Sequence, residues 1–293
     1  MVSLLNLSRD YFLISLLFTP YPKNRRAIPT YSHLTPYIVM AGTVYVVTGS
    51  NRGIGLGLVK VLLSRPSSTI IATVRSEEAH KALKEGISGI AIGPGSSLHV
   101  VQLDFSVAVS PKTVRDVIVS TGLVAEEGRG IDVLINNAGG PYPMVTALET
   151  QAEHMRAAFE TNTIAPLLVF QGLWPLMQKS KIRKLIMVSS SLGSIEQMDP
   201  SPAGAYGPSR CAQNWLCKAL HQENKDAGLI VIAIHPGWVQ TRAGQLVADD
   251  WGYSPGPPVT VEESVEGILK VTDGATKESS GKFLTWEGKS LAW

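Results

Sequence analysis

Residues 43–63 read TVYVVTGSNRGIGLGLVKVLL, and this stretch predicts the architecture of the whole chain. Residues 44–47 are a β-branched and aromatic run that suits a buried strand. Four glycines follow, and apolar residues at helical spacing then continue to a stop at residues 64–66. A glycine turn between a strand and a helix suits a phosphate, because free backbone N–H groups and the helix dipole point at the ligand. An ordinary tight turn is the alternative interpretation, which the flanking strand and helix disfavour.

Composition limits the class of protein. The chain has 293 residues, 44% hydrophobic and 17% charged, which is enough for one large core. The pattern after the turn never breaks, so we expect one domain of about 250 residues. A formal net charge of +2 gives no case for a nucleic-acid partner. Cys211 and Cys217 do not face one another on their predicted helix, so neither a disulfide framework nor a cysteine metal site is expected. A reduced, cytoplasmic setting fits this cysteine usage.

Residues 1–40 differ in character from the remainder. The apolar stretch at residues 11–18 is too short to span a bilayer, and a basic, proline-rich segment follows it. A secretory signal, a mitochondrial presequence and a working start at Met40 are three interpretations of this region. We expect a disordered or artefactual extension, with the cofactor-binding domain at residues 41–293.

Strand patterns alternate with helical patterns along the chain. The predicted strands are residues 44–47, 69–74, 98–103, 131–135, 184–188, 229–234 and 282–286. The predicted helices are residues 56–63, 76–85, 114–124, 149–178, 203–225 and 261–272. Continuously apolar strands in this alternation predict an α/β fold, a single-domain, doubly wound, parallel Rossmann-type sheet with helices on both faces. Polar residues follow the strands, where ligands of such sheets bind.

Two arginines indicate which dinucleotide would bind. Arg75 ends the second strand, beside the expected position of the adenosine ribose, and Arg52 lies in the glycine turn. No acid stands at residues 72–75 to bind a ribose 2′-hydroxyl. An arginine accepts a 2′-phosphate, so the pair favours NADP(H) over NAD(H). Solvated surface charges are the alternative interpretation.

The segment at residues 240–260 reads as irregular, with acidic and aromatic residues and three prolines. It directly follows a strand that would border the cofactor. A loop that covers the substrate and an ordinary surface connection are equally consistent with it.

A set of motifs in fixed order resembles the short-chain dehydrogenase/reductase family over about residues 41–290. The motifs are Thr48-Gly-Ser-Asn-Arg-Gly-Ile-Gly55, Asn136-Asn-Ala-Gly139, Asn162, the serines at 189–191, Tyr206 and Pro236-Gly237. The stretches FETNTIAPLLVFQ and GKFLTWEGKSLAW are most similar to sniffer-like carbonyl reductases and to fungal polyketide ketoreductases of the norsolorinic acid type.

The resemblance implies NADP(H) as cofactor, no metal, and a set of cofactor contacts. Those contacts would be Gly49, Asn51, Arg52, Gly53, Ile54, Gly55, Arg75, Asp104, Asn136, Ala138, Gly139, Tyr206, Arg210, Pro236, Gly237 and Thr241. Tyr206 would donate the proton, and Asn162 would hold a water in the proton relay. Ser190 would hydrogen-bond the carbonyl oxygen, because it stands three residues before a glycine. The neighbouring serines stay open as alternatives.

One position departs from the family pattern. The family reads Tyr-x-x-x-Lys, whereas this chain reads Tyr206-Gly-Pro-Ser-Arg210. The i, i+4 spacing keeps a cation on the face of the tyrosine. However, an arginine cannot pass a proton, and its planar fork is wider than an ammonium. We expect a competent but slower reductase, and the alternative is an NADP(H)-binding regulatory or non-redox protein.

The expected reaction is the NADPH-dependent reduction of a ketone in an apolar, aromatic or polyketide-like small molecule of secondary metabolism. Apolar residues near the predicted cleft motivate this substrate class, although the same residues suit a core: Pro141, Tyr142, Pro143, Met144, Trp238 and Trp251. By resemblance, the helices at 149–178 and 203–225 would form a homodimer or homotetramer. Neither a nucleic acid nor a membrane span is expected.

Overall fold

The computed structural model describes residues 42–125 and 127–293. Its strands are β1 Thr43–Val47, β2 Ser68–Val74, β3 Ser97–Gln102, β4 Val133–Asn136, β5 Lys184–Val188, β6 Ile230–His235 and β7 Lys282–Thr285. Its α-helices are α1 Gly53–Ser64, α2 Glu77–Gly86, α3 Pro111–Val119, α4 Ala152–Phe159, α5 Ala165–Met177, α6 Tyr206–Asn224, α7 Arg242–Asp250 and α8 Val261–Asp273. The predicted extension at residues 1–40 lies outside the described residues.

The strands form one seven-stranded parallel sheet in the order β3-β2-β1-β4-β5-β6-β7. The chain steps outward in one direction from β1 to β3, and in the other direction from β4 to β7. The crevice beyond the ends of β1 and β4 is therefore the switch point, where doubly wound sheets bind their ligands. The predicted fold class is confirmed.

Each face of the sheet carries its own hydrophobic cluster. Side chains of α3, α5 and α6 pack on one face, with Ile118 and Leu173 fully buried. Side chains of α1, α2 and α8 pack on the other face, with Leu62 and Ile268 fully buried. Full burial of one such side chain contributes about 1.5–3 kcal/mol. These two clusters fix the helices on both faces, as predicted.

The helix predicted over residues 149–178 has an interruption. It begins at Ala152, changes to a π-helical segment over Glu160–Ile164, and continues as α5 to Met177. Asn162 stands in the middle of that segment and is fully buried. A single π turn changes the direction of the side chains within it, and such turns are frequent at functional sites.

Two further boundaries differ from prediction. The segment at residues 240–260 is not wholly irregular, because α7 occupies residues 242–250 and the three prolines lie beyond its end. Thr241 caps this helix, since its Oγ1 accepts a hydrogen bond from the Gly244 N–H at 3.0 Å. Helix α3 starts earlier than predicted, capped by Ser110 with Pro111 in its first turn, and ends at Val119.

Both cysteines lie on α6 and both are free thiols. Burial raises the pKa of the Cys217 thiol far above its ordinary value. Within residues 42–125 and 127–293, no helix combines the length and the apolar character needed to cross a membrane.

Candidate functional site

The turn after β1 requires glycine at several positions. Gly49 and Gly53 have φ angles of +68° and +52°, in the left-handed region. A Cβ on Gly49 would stand 2.9 Å from the Ala138 Cα, and one on Gly55 would overlap the Gly49 carbonyl oxygen. Asn51 lies in this turn, and Ile54 lies in the first turn of α1. Any larger side chain at these glycines would push the turn away from the switch point.

The ends of β1 and β4 are joined by a small hydrogen-bond network. The Thr48 Oγ1 accepts from the backbone N–H groups of Asn137, at 3.0 Å, and Ala138, at 2.9 Å. In return the Asn137 side chain donates to the carbonyl oxygens of Thr48 and Gly49. Thr48 and Asn137 were not among the predicted site residues, although both belong to the quoted motifs. Their bonds fix the position of Gly139 relative to the glycine turn.

Three arginines meet at the start of α1. No side chain caps this helix, so its first N–H groups stay available to an anion. Arg52 stands at the N-cap position, and its pKa is lowered by partial burial of the guanidinium and by the charges of Arg75 and Arg242. None of the three forms an ion pair with a described residue. Arg242 was missed by sequence reasoning, because only the folding of α7 brings it here.

Asp104 follows β3, beside this arginine group. Its Oδ1 accepts hydrogen bonds from the Ser106 N–H at 2.9 Å and the Ser106 hydroxyl at 2.7 Å. These bonds, with a smaller contribution from Arg75, hold the pKa of Asp104 below its ordinary value. The carboxylate is therefore charged at neutral pH.

The three serines after β5 have different surroundings. The Ser189 hydroxyl is buried and lies 2.6 Å from the Asn214 Oδ1 of α6, so it is used inside the protein. The Ser190 Oγ accepts from the Leu192 N–H at 3.2 Å, and no described residue accepts its hydroxyl proton. The Ser191 N–H donates to the ring of His235. Ser190 thus keeps a free donor.

His235 joins the ends of β5 and β6. Its Nδ1 accepts from the Ser191 N–H at 3.1 Å, which requires that nitrogen to be unprotonated. Burial lowers the pKa of His235 to about 4. The imidazole is therefore neutral at physiological pH and holds the serine turn in place.

Tyr206 and Arg210 occupy the first two turns of α6. The Arg210 Cζ lies 5.1 Å from the centroid of the Tyr206 ring, a cation–π contact. Arg210 is only 5% exposed, and its Nη1 donates to the Val188 carbonyl at 3.1 Å and to the Gln213 Oε1 at 2.8 Å. Its Nε has no hydrogen-bond partner in the part of the chain that the structure describes. The predicted side chains therefore do lie together, and Gln213 is an additional member.

Asn162 and Arg210 both reach Gly139. A Cβ on Gly139 would stand 2.8 Å from the Asn162 Oδ1 and 2.5 Å from the Arg210 Nη2. Asn162 also exchanges hydrogen bonds with the backbone of Gly140, and its Nδ2 donates to the Ser209 Oγ at 3.1 Å. The loop after β4, the π-helical segment and α6 therefore meet at one point.

The Asn136 side chain, at the end of β4, faces the protein interior. It is 1% exposed, and its Nδ2 donates to the Pro166 carbonyl at 3.1 Å and to the Met187 sulfur at 3.4 Å. The side chain is directed into the interior because its neighbours there satisfy it.

The remaining predicted residues follow β6. Gly237 has a φ of +85° and packs against Trp286, while the Pro236 carbonyl accepts from the Ser264 hydroxyl at 2.7 Å. Thr241 approaches the glycine turn directly, because its Cγ2 lies 3.1 Å from the position of a Cβ on Gly53. This contact joins the start of α7 to the start of α1.

The family model for short chain dehydrogenases matches residues 43–251. The chain belongs to the short-chain dehydrogenase/reductase family. The predicted resemblance is thereby confirmed, and the protein is an oxidoreductase.

This dehydrogenase is similar to curated proteins and to solved structures. Among curated proteins, it is 36% identical to the short-chain dehydrogenase srdF of Neurospora crassa, over 87% of this chain and 99% of the relative. It is 38% identical to the norsolorinic acid ketoreductase nor1 of Dothistroma septosporum, over 86% of this chain and 92% of the relative. Among solved structures, the NADPH-bound carbonyl reductase from chicken fatty liver is similar with a TM-score of 0.72 and 32% identity, covering 87% of this chain and 100% of that one.

Beside this site the dehydrogenase has an aromatic wall. The Trp238 ring contacts Trp251 edge-on at 5.6 Å and Tyr253 at 5.0 Å between centroids. The Trp251 indole N–H donates to the Pro202 carbonyl at 2.9 Å. The wall is thus anchored to the segment that leads into Tyr206. Its rings give the site an apolar side next to its hydrogen-bonding side.

Proposed function

We propose that this enzyme reduces a ketone of an apolar, aromatic small molecule with NADPH. The observation that carries this proposal is the meeting of Asn162 and Arg210 at Gly139, at the switch point and beside Tyr206. The Ser190 hydroxyl, the Tyr206 phenol and the Arg210 guanidinium suit the protonation of an alkoxide that develops on a substrate at the switch point.

The residues present fit NADP(H). The turn after β1 is built on glycines that admit no side chain, the N-terminus of α1 has no side-chain cap, and the buried Arg210 Nε lacks an acceptor among the described residues. Arg52, Arg75 and Arg242 give a 2′-phosphate a site without a competing ion pair. The relatedness to an NADPH-bound carbonyl reductase supports the same choice. When bound, NADPH supplies the hydride for the carbonyl carbon.

The residues of the chain then have separate tasks. The Ser190 hydroxyl donates a hydrogen bond to the carbonyl oxygen, and the Tyr206 hydroxyl donates the proton to the same oxygen as negative charge develops there. The Arg210 guanidinium lies 5.1 Å from the centre of the Tyr206 ring and attracts the negative charge that remains after the proton is transferred. Asn162 holds a water that returns a proton to the phenol, since Arg210 stays protonated throughout.

The aromatic wall supports the substrate class. Trp238, Trp251 and Tyr253 are partly exposed, whereas Met144 is buried. Flat polycyclic substrates stack well on such surfaces. The 38% identity to a norsolorinic acid ketoreductase supports a polyketide-like ketone.

The test is the loss of NADPH absorbance with a panel of aromatic ketones and quinones. Tyr206→Phe should lower kcat by about a hundredfold or more, because it removes the proton donor, while NADPH binding is retained. Tyr45→Phe, a change of the same kind within β1, should keep the activity. Arg52→Ala should weaken NADPH binding by about tenfold and leave NADH binding nearly unchanged, because only NADPH carries the 2′-phosphate.

A second function is favoured by one observation. The Arg210 Nη1 is already occupied by two protein acceptors, and arginine cannot pass a proton. If the protein binds NADPH tightly but turns over no ketone until Arg210→Lys is made, an NADP(H)-binding regulatory or non-redox function replaces the reductase.

A further inference from the structure

Gln213 is a buried polar side chain with no role in the motifs of the sequence. It lies on α6, one turn beyond Arg210, and is fully buried. Its Oε1 accepts from the Arg210 Nη1 at 2.8 Å. Its Nε2 finds only the Met187 sulfur, at 3.9 Å, which is a weak acceptor. Burying a carboxamide with a poorly satisfied NH₂ group is costly. The hydrogen bond of the carboxamide oxygen to Arg210 is therefore the interaction that explains a glutamine at this position.

Arg210 needs that oxygen because its charge is buried. A guanidinium carries five N–H donors and stays ionised in proteins. Here it has two oxygen acceptors, the Val188 carbonyl and Gln213, together with the face of the Tyr206 ring. No described carboxylate pairs with it. A lysine at position 210 would have no planar fork to orient.

We propose that Gln213 is a positioning residue that acts through Arg210. It fixes the rotation of the guanidinium, so that Nη2 stays beside Gly139 and Nε stays free for a bound molecule. Arg210 and Gln213 thus form one unit that takes the place of a single lysine. The catalytic consequence rests on the proposed function, whereas the coupling between the two side chains does not.

A double-mutant cycle tests the unit, with Gln213→Leu, Arg210→Lys and both together. In the protein with Arg210, Gln213→Leu should raise the Kd for NADPH, measured by fluorescence, about tenfold and lower kcat by a similar factor. In the Arg210→Lys protein, the same change should alter the Kd and kcat less than about twofold, because no guanidinium remains to be oriented. Gln213→Glu keeps an acceptor oxygen for Arg210. Its affinity for NADPH should therefore be close to that of the wild type and well above that of Gln213→Leu.

The same helix offers a matched control. Gln222 accepts from Lys225 at 3.2 Å, which is also an i, i+3 pair of a glutamine and a cation, but the order is reversed and Gln222 is exposed. Gln222→Leu should leave the Kd and kcat unchanged.

Equal losses from Gln213→Leu in both backgrounds would overturn the proposal, because they would show a role in packing alone. Thermal unfolding without cofactor separates this result from a failure of the proposed function. If the wild-type protein binds no NADPH, the reductase function fails, while non-additive shifts of Tm across the cycle still support the Arg210–Gln213 unit. Additive Tm shifts would contradict it.

Discussion

Arg210 keeps a permanent positive charge almost entirely out of water. Two oxygen acceptors and one aromatic face are its described partners. Each hydrogen bond to a charged group contributes about 1.5–3 kcal/mol, so these contacts offset much of the cost of desolvation. The charge is fixed next to a phenol at the switch point. If the guanidinium were exposed, solvent would screen its charge and weaken its effect on the phenol.

Gly139 leaves the space that the Arg210 guanidinium occupies. Gly139→Ala would place a Cβ 2.5 Å from the Arg210 Nη2 and 2.8 Å from the Asn162 Oδ1. We expect kcat to fall by about tenfold or more and the free energy of unfolding to fall by about 1–3 kcal/mol. Steady-state kinetics and urea unfolding measure the two effects.

The neighbouring glycine is the control for this prediction. A Cβ on Gly140 meets no atom within 4 Å. Gly140→Ala should therefore change the free energy of unfolding by less than about 0.5 kcal/mol. Equal effects of the two substitutions would show that the space beside Gly139 is not needed.

At the scale of elements, the end of α7 is tied to the loop after β4. The Asp250 Oδ2 accepts from the Met144 N–H at 2.9 Å. Asp250→Ala should release the aromatic wall and raise the KM for an aromatic ketone about fivefold, with NADPH affinity unchanged, because a single hydrogen bond is lost. Asp249→Ala is the matched control, since among the described residues that carboxylate accepts only from Gln245 of its own helix. A rise in KM for both variants would argue against the tie.

His235 connects two strand ends and gives the fold a pH dependence. Its folded pKa of about 4 is below the ordinary value of 6.5, so the unfolded chain takes up a proton first as the pH falls. Stability is therefore lost between those two values and retained above them. Between about pH 7 and about pH 5, the wild type should lose about 2 kcal/mol of unfolding free energy more than His235→Gln does.

Urea unfolding at the two pH values measures this difference. His99→Gln, on the distant strand β3, should keep the pH dependence of the wild type. If His235→Gln shows the same loss as the wild type, the pH dependence arises elsewhere.

At the scale of the whole molecule, an exposed apolar patch includes Trp215 of α6 and Ile195, which follows β5. Trp215 and Ile195 are 69% and 66% exposed, and a groove of about 420 Å³ lies between α6 and the side chain of Trp293. The homodimer or homotetramer proposed from the family resemblance would cover this patch through α6. Trp215→Glu should then shift sedimentation towards a smaller species, because a charge cannot be buried there cheaply. Ile92→Glu, at another apolar site with 62% exposure, should not. A wild-type monomer would contradict the proposal.

Much of the fold and part of the site follow from local rules. The strand, turn and helix at residues 43–63 have the predicted order, because buried runs and helical spacing are properties of neighbouring residues. The same rules misjudged α7, where acidic and aromatic residues suggested a loop although Thr241 caps a helix. The burial of the Asn136 side chain could not be predicted from its neighbours in sequence, because its partners Pro166 and Met187 come from distant parts of the chain.

The sequence by itself determined the family, the doubly wound sheet and the identity of the candidate side chains, because motifs and periodicity are read along the chain. Only the tertiary structure decided how those side chains are held. Arg242 joins Arg52 and Arg75 through the start of α7, and Gln213 orients Arg210 against β5. The arginine group depends on contacts between elements that the crossovers bring together, and Arg210 is held against β5 by its hydrogen bond to the Val188 carbonyl. The environment of a charged side chain depends on all of its neighbours in space, whereas the sequence identifies only its neighbours along the chain.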